Sequence, residues 1–241
     1  MGGNWRKPRK EFVDTSFNPM SLSAKRVLLF GDSCAMNKTI AECLQKLGAE
    51  VVVFYDEAIE ELETALPHFL EHKDIDGFVF SVVHSEFKPI RFVKPGNVTS
   101  LMKDNYGLFI EVLRVLSKSR LLKHGSSVVA LSSISSVRGM KTKTVFCSAK
   151  AALDAAVRCL ALELGEKRIR VNSIQKGYVN TDFVKDSVKT ATSVRDGDDA
   201  VKSILGVTDA SEIANLTAFL LGDAAPTITG TSFVIDGGYT A

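Results

Sequence analysis

The sequence contains no C-x-x-C pair. Its four cysteines, Cys34, Cys43, Cys147 and Cys159, stand apart, and no histidine cluster accompanies them. This argues against a zinc site or a disulfide framework and for reduced thiols in a cytoplasmic protein. No apolar run reaches the ~18 residues that a membrane-spanning helix needs. The basic N-terminus is not followed by an apolar segment, so no signal peptide is expected. Thirty basic residues face 28 acidic ones, and the net charge of +2 provides no bulk attraction for nucleic acid or a membrane surface. The local basic cluster, NWRKPRK, falls in a stretch without periodicity and reads as a mobile tail over residues 1–20. Internal repeats and low-complexity tracts are absent.

What the sequence does have is alternation. SAKRVLLF ends in an unbroken apolar run from Val27 to Phe30, as a strand covered on both faces requires. A turn, GDSCAMN, leads into KTIAECLQKLGA, where Ile40, Cys43, Leu44 and Leu47 recur at helical spacing and Gly48 marks the stop. EVVVFYD is a second strand. AIEELETALPHFLEH is a helix interrupted by Pro67, IDGFVFSVV a strand, and SLMKDNYGLFIEVLRVLSKSRLL one long helix. GSSVVALSS, TVFCSAKAALDAAVRCLALELGE and IRVNSIQ continue as strand, helix and strand. A last helix follows an N-cap at Thr208 or Asp209, and GTSFVIDGG forms the last strand. Alternating strands and helices predict a single doubly wound, parallel α/β domain of Rossmann type over residues 21–241, with six strands.

The blocks LSSIS, FCSAKAALDAAVRCLALEL, IRVNSI and ITGTSFVIDGGYTA, in that order and spacing, resemble the short-chain dehydrogenases/reductases. The nearest likeness is to the bacterial acyl-carrier-protein ketoreductases and sugar-modifying oxidoreductases. The resemblance implies hydride transfer between a nicotinamide and a substrate carbon. It also implies a tyrosine that moves the proton, a lysine that lowers its pKa and holds the ribose, a serine on the substrate oxygen and an asparagine that keeps a water relay. Asn105, Ser133 and Lys150 match three of these positions. The fourth holds Phe146, thirteen residues after Ser133 and four before Lys150, so it occupies the proton donor's place without a titratable group.

The nucleotide site departs as well. The family's glycine-rich turn retains Gly31 here, but Ala35 and Asn37 replace its next two glycines, and an amide at 37 is expected to crowd the helix–sheet contact or the phosphate. Ser33 and the helix-start amides remain as anion ligands. Phe80, Ser81, Val82 and Val83 replace a small-residue stretch, with Val83 expected to fill space beside the ribose. Only one helix separates the second strand from IDGFVF, so one crossover unit of the family fold is missing. Asp56, at the end of the second strand, favours NAD over NADP. Gly177 and Thr181 match the loop near the nicotinamide, preceded by Lys176 where a proline is usual.

These departures imply a non-catalytic or weakly active oligomer subunit whose dinucleotide binding is reduced or lost. A second reading is an NAD(P)-dependent oxidoreductase of alcohols or ketones in which Lys150 or a hydroxyl such as that of Tyr178 delivers the proton. A third is a binding module without redox chemistry. By resemblance, the helices over 100–122 and 145–165 would form a homodimer or tetramer, or a hetero-oligomer with an intact paralogue.

Overall fold

The computed structural model describes residues 18–55, 61–180 and 203–241. Six strands form one parallel sheet: β1 (Arg26–Phe30), β2 (Glu50–Phe54), β3 (Ile75–Phe80), β4 (Leu122–Ser133), β5 (Arg170–Lys176) and β6 (Ser232–Ile235). Their spatial order is β2-β1-β3-β4-β5-β6. The chain moves outward from β1 to β2, then crosses back to β3 on the other side of β1. This reversal makes the loops leaving β1 and β3 diverge, and it opens a crevice at the carboxyl ends of the strands. Among the described residues a single return helix, α2 (Leu62–Phe69), follows β2, which is left as an edge strand with Val53 47% exposed. The missing crossover expected from the sequence is thus the reason the sheet stops at β2.

The sheet separates two cores because strand side chains alternate between faces. Leu28 and Phe30 join Phe78, Phe80 and Val128 on one face, under α2, α4 (Leu108–Lys118) and α5 (Thr144–Leu164). Val27 and Leu29 join Val79, Val129 and Leu131 on the other, under α1 (Ala35–Lys46) and α6 (Ala210–Leu221). Each such side chain, fully withdrawn from water, contributes roughly 1.5–3 kcal/mol. On the first face Phe80 packs against Phe109 at 5.3 Å between ring centroids and stacks on Phe30 at 6.0 Å.

Three elements differ from the sequence expectation. The helix read over residues 100–122 is two helices, α3 (Pro95–Met102) and α4, joined by a π-helical turn over Lys103–Gly107. Asn105 sits in that turn, and its side chain bonds to backbone outside the regular ladder. Pro67 lies inside α2 without ending it. The first helix begins at Ala35 rather than Lys38, which draws Ala35 and Asn37 into its first turn. Asp209 is the N-cap of α6, in a reciprocal capping box with Glu212.

Candidate active site

The crevice collects most of the candidate residues at the carboxyl edge of the sheet. Asp56 and Thr181 lie outside the described residues.

The turn after β1 is built around Gly31. A Cβ there would stand 2.5 Å from the Ser81 carbonyl oxygen and 2.6 Å from the Asn37 amide nitrogen, so only glycine fits between them. Asn37 does not crowd this packing, contrary to the sequence expectation. It is buried and fills the space left by the third glycine of the family turn with hydrogen bonds. Its Nδ2 donates to Asp32 O at 2.9 Å, to Asp32 Oδ1 at 3.1 Å and to Ser81 O at 3.3 Å. The Ser81 hydroxyl donates to Asn37 Oδ1. The amide therefore ties the first turn to the end of β3. Replacing it with the family's glycine orphans these groups and adds a flexible residue to a helix. Asn37→Gly is expected to destabilise the protein by about 3 kcal/mol in a denaturant melt. An unchanged midpoint would show that the amide only fills space.

Ser33, Cys34 and Ala35 are exposed at the start of α1. No side chain caps this twelve-residue helix, and its first turn carries no acid. Its positive end therefore faces the crevice and suits a pyrophosphate. Asp32 Oδ1 accepts from the Cys34 amide at 3.2 Å, so one local carboxylate already uses part of this positive end. Phe80, Ser81 and Val82 are buried, whereas Val83 is 39% exposed at the crevice edge. Gly177 packs against Asp236, where a Cβ would lie 2.7 Å from the aspartate's own. The uncapped helix start fits the phosphates of a dinucleotide, and Lys150 stands on the helix where the resemblance implies a ribose contact.

Asn105 is fully committed. Its Nδ2 donates to His84 O at 2.7 Å and Leu101 O at 3.0 Å, and its Oδ1 accepts from His84 N at 3.2 Å. It locks the π turn to the loop that follows β3. Ser133 ends β4 with its Oγ accepting from Ser135 N at 3.2 Å and donating to Ser135 Oγ at 3.1 Å. Phe146 is 5% exposed on α5, one turn before Lys150.

Lys150 is the most constrained group at this edge. It is fully buried, and its Nζ donates to Val82 O at 3.1 Å and Leu131 O at 3.3 Å. The Phe146 ring centroid lies 5.9 Å from that ammonium. Burial pushes the Lys150 pKa down to about 7; the charge of Lys176 adds to the effect and Asp154 opposes it. Lys150 is therefore an enclosed lysine rather than a solvated one.

Two further lysines share this edge and did not stand out as site residues in the sequence. The Lys143 ammonium lies 4.0 Å from the Phe87 ring centroid and 5.6 Å from that of Phe146. Burial lowers its pKa, with Cys147 opposing. Lys176 pairs in register with Ser133. Its chain is partly exposed while its ammonium end is enclosed; burial lowers its pKa to about 8, with Cys34 opposing and Lys143 contributing. Both signals were present in the sequence. Lys143 precedes Lys150 by two helical turns, which puts both on one face, and Lys176 stands where the family has proline.

Comparison with known proteins agrees with this geometry. A family model described as enoyl-(acyl carrier protein) reductase matches residues 27–240. The chain is 28% identical over 247 residues to L-xylulose reductase of Caenorhabditis elegans, covering 90% of this chain and 96% of that protein. It is 32% identical over 212 residues to 1-cyclohexenylcarbonyl-CoA reductase of Streptomyces collinus, covering 83% of this chain and 72% of that protein. The structure of L-sorbose reductase from Gluconobacter frateurii, complexed with NADPH and L-sorbose, shares the fold with a TM-score of 0.81 at 22% identity, covering 92% of this chain and 98% of that one. The full-length family match, the six-stranded parallel sheet and the lysine-bearing helix beside the β1–β3 crevice together place this chain in the short-chain dehydrogenase/reductase superfamily, as an oxidoreductase domain related to enoyl-(acyl carrier protein) reductases and to sugar and ketone reductases.

Proposed function

We propose that this protein is an NAD(P)-dependent oxidoreductase of carbonyl or alcohol substrates in which Lys150 takes over the proton transfer that the family assigns to tyrosine. The observation that carries this reading is the enclosure of Lys150 between two backbone carbonyls at the sheet edge, with a pKa of about 7. A general acid works best when its pKa lies near the working pH. An ordinary lysine, at 10.5, gives up its proton too reluctantly, and burial removes that handicap.

A bound NAD(P)H supplies the hydride. The protein's own part is to hold the substrate oxygen near Ser133, to keep the loop after β3 in place through Asn105, and to provide the proton from the Lys150 ammonium. Phe146 walls the pocket and helps exclude water from the amine. The start of α1, with Ser33 and Gly31, would take the pyrophosphate.

What supports activity over a silent subunit is that the substitutions in the first turn are satisfied rather than disruptive: Asn37 is hydrogen-bonded at every polar atom. The residues that carry charge at the crevice are also enclosed rather than scattered on the surface. As an assembly, the proposal keeps the oligomer formed through the helices flanking the π turn and through α5. The small residues Ala151, Ala152, Ala155 and Ala156 of α5 are half-buried in the single chain.

Titration of the full chain with NADH and with NADPH, followed by fluorescence or calorimetry, tests the reading. One of them is expected to bind more tightly than about 100 μM. No binding of either at millimolar concentration would leave a non-catalytic subunit as the better account.

A further inference from the structure

Lys143, Lys150 and Lys176 bring three positive charges to one crevice, and among the described residues none of them forms an ion pair. Among the described residues, the acids around the crevice act elsewhere than on Lys143 and Lys176. Asp154 accepts from Gln175 Nε2 at 2.8 Å through Oδ2, its buried Oδ1 has no hydrogen-bond partner, and its charge acts on Lys150 rather than on Lys143 or Lys176. Asp236 accepts from the Gly238 amide and from the amide and hydroxyl of Thr240. Asp104 meets the His84 ring at 2.6 Å, and Asp32 serves the Cys34 amide and Asn37. Uncompensated ammonium groups in a partly desolvated cleft are costly unless an opposite charge joins them. The Phe87 face beneath Lys143 compensates only part of this cost.

Lys150 already gives two of its three N–H donors to backbone carbonyls, and the proton transfer proposed above takes the third, so a ligand's own charge falls to other groups. Lys143 and Lys176 are partly exposed as residues, with the Lys176 ammonium enclosed, and neither ammonium has a hydrogen-bond or ion-pair partner among the described residues. Lys143 enters from the start of α5, and Lys176 from the end of β5, next to Ser133 in the sheet register. They therefore reach the carboxyl edge of the sheet from two different elements, and the charge of Lys143 acts on Lys176.

We propose that Lys143 and Lys176 bind an anionic group, a carboxylate or a phosphate monoester, carried by the substrate. This deepens the oxidoreductase reading given above and rests on it for the word substrate. The carbonyl would lie at Ser133, with the anion held between the two lysines. A neutral ketone or sugar would leave both ammonium groups without a partner, and it is the disfavoured substrate.

The full chain is titrated calorimetrically with two anions, acetoacetate and dihydroxyacetone phosphate, and with their uncharged counterparts, ethyl acetoacetate and dihydroxyacetone. At least one anion is expected to bind, and the better of the two identifies the charge class. Lys176→Ala and Lys143→Ala are each expected to weaken that binding about tenfold or more, Lys176→Arg to retain most of it, and added salt to weaken it. Lys176→Met keeps the apolar stem should the alanine variant fail to fold. Absence of binding by both anions up to about 10 mM overturns the proposal, as does equal binding to wild type and to both lysine variants. NADH and NADPH are titrated in parallel. Dinucleotide binding without anion binding removes this inference alone. Anion binding without dinucleotide binding removes the oxidoreductase reading and leaves an anion-binding cleft.

Discussion

Phe146→Tyr is expected to raise NAD(P)H-dependent carbonyl reduction by about 10²-fold, the lower end of what a positioned general acid contributes. The phenyl ring is already in place, buried on α5 one turn before Lys150 and within 5.9 Å of its ammonium. A tyrosine hydroxyl added to that ring would lie in the field of Lys143 as well as Lys150, and positive neighbours lower a phenol's pKa. The variant would then have a proton donor of the family type as well as the lysine. The measurement is kcat with a generic ketone or with the anionic carbonyls above, wild type against variant. An unchanged rate would mean that substrate and cofactor do not meet beside this ring, and the oxidoreductase assignment of the crevice would fall.

The second large effect concerns Lys150. Lys150→Met is expected to reduce turnover by roughly 10³-fold, since it removes the proton donor and the ribose-side charge together. The wild-type pH profile provides an independent signature. Reduction needs the ammonium form, so the rate is expected to be full below about 7 and to fall tenfold per pH unit above it. A profile flat from pH 6 to 9 would exclude Lys150 as the donor even if the methionine variant were inactive.

Stability provides a further check on the same group. The folded-state pKa is depressed below the ordinary lysine value of 10.5. Between about 7 and 10.5 the unfolded chain therefore binds more protons than the folded one, and stability relative to Lys150→Met rises with pH across that window. Below the window the buried charge is a constant penalty. The difference between the two proteins, followed by denaturant melts at pH 7 and pH 10, is expected to change by about 2–4 kcal/mol in favour of wild type. No change would place the amine in contact with water.

Each of these effects depends on how one side chain is surrounded, and here the sequence and the structure part. Apolar runs such as VLLF and FVF, the helical spacing of Ile40, Leu44 and Leu47, and the shortness of the stretch between β2 and β3 were enough to predict a six-stranded doubly wound sheet with a crossover missing. Such patterns are local, and burial on both faces of a parallel strand leaves them few alternatives. The spacing of Ser133, Phe146 and Lys150 likewise placed Phe146 and Lys150 one turn apart on a single helix, as they are on α5. The π turn at Asn105 was not visible, because it arises from hydrogen bonds to His84, twenty-one residues away.

The sequence by itself determined the fold, through period and interval along the chain, and, through the resemblance of its motifs, the family and the missing hydroxyl at position 146. Only the tertiary structure decided what the unusual residues do. Asn37 looked like an obstacle and is a staple, because Ser81, just beyond the end of β3, meets its amide. Lys150 was equally compatible with a solvated helix face until Val82 and Leu131 closed around it. Lys143 and Lys176 became a pair when α5 and β5 were brought to the same edge of the sheet. Charge energetics depend on desolvation and on neighbours distant in sequence, and neither is encoded in the spacing of residues along the chain.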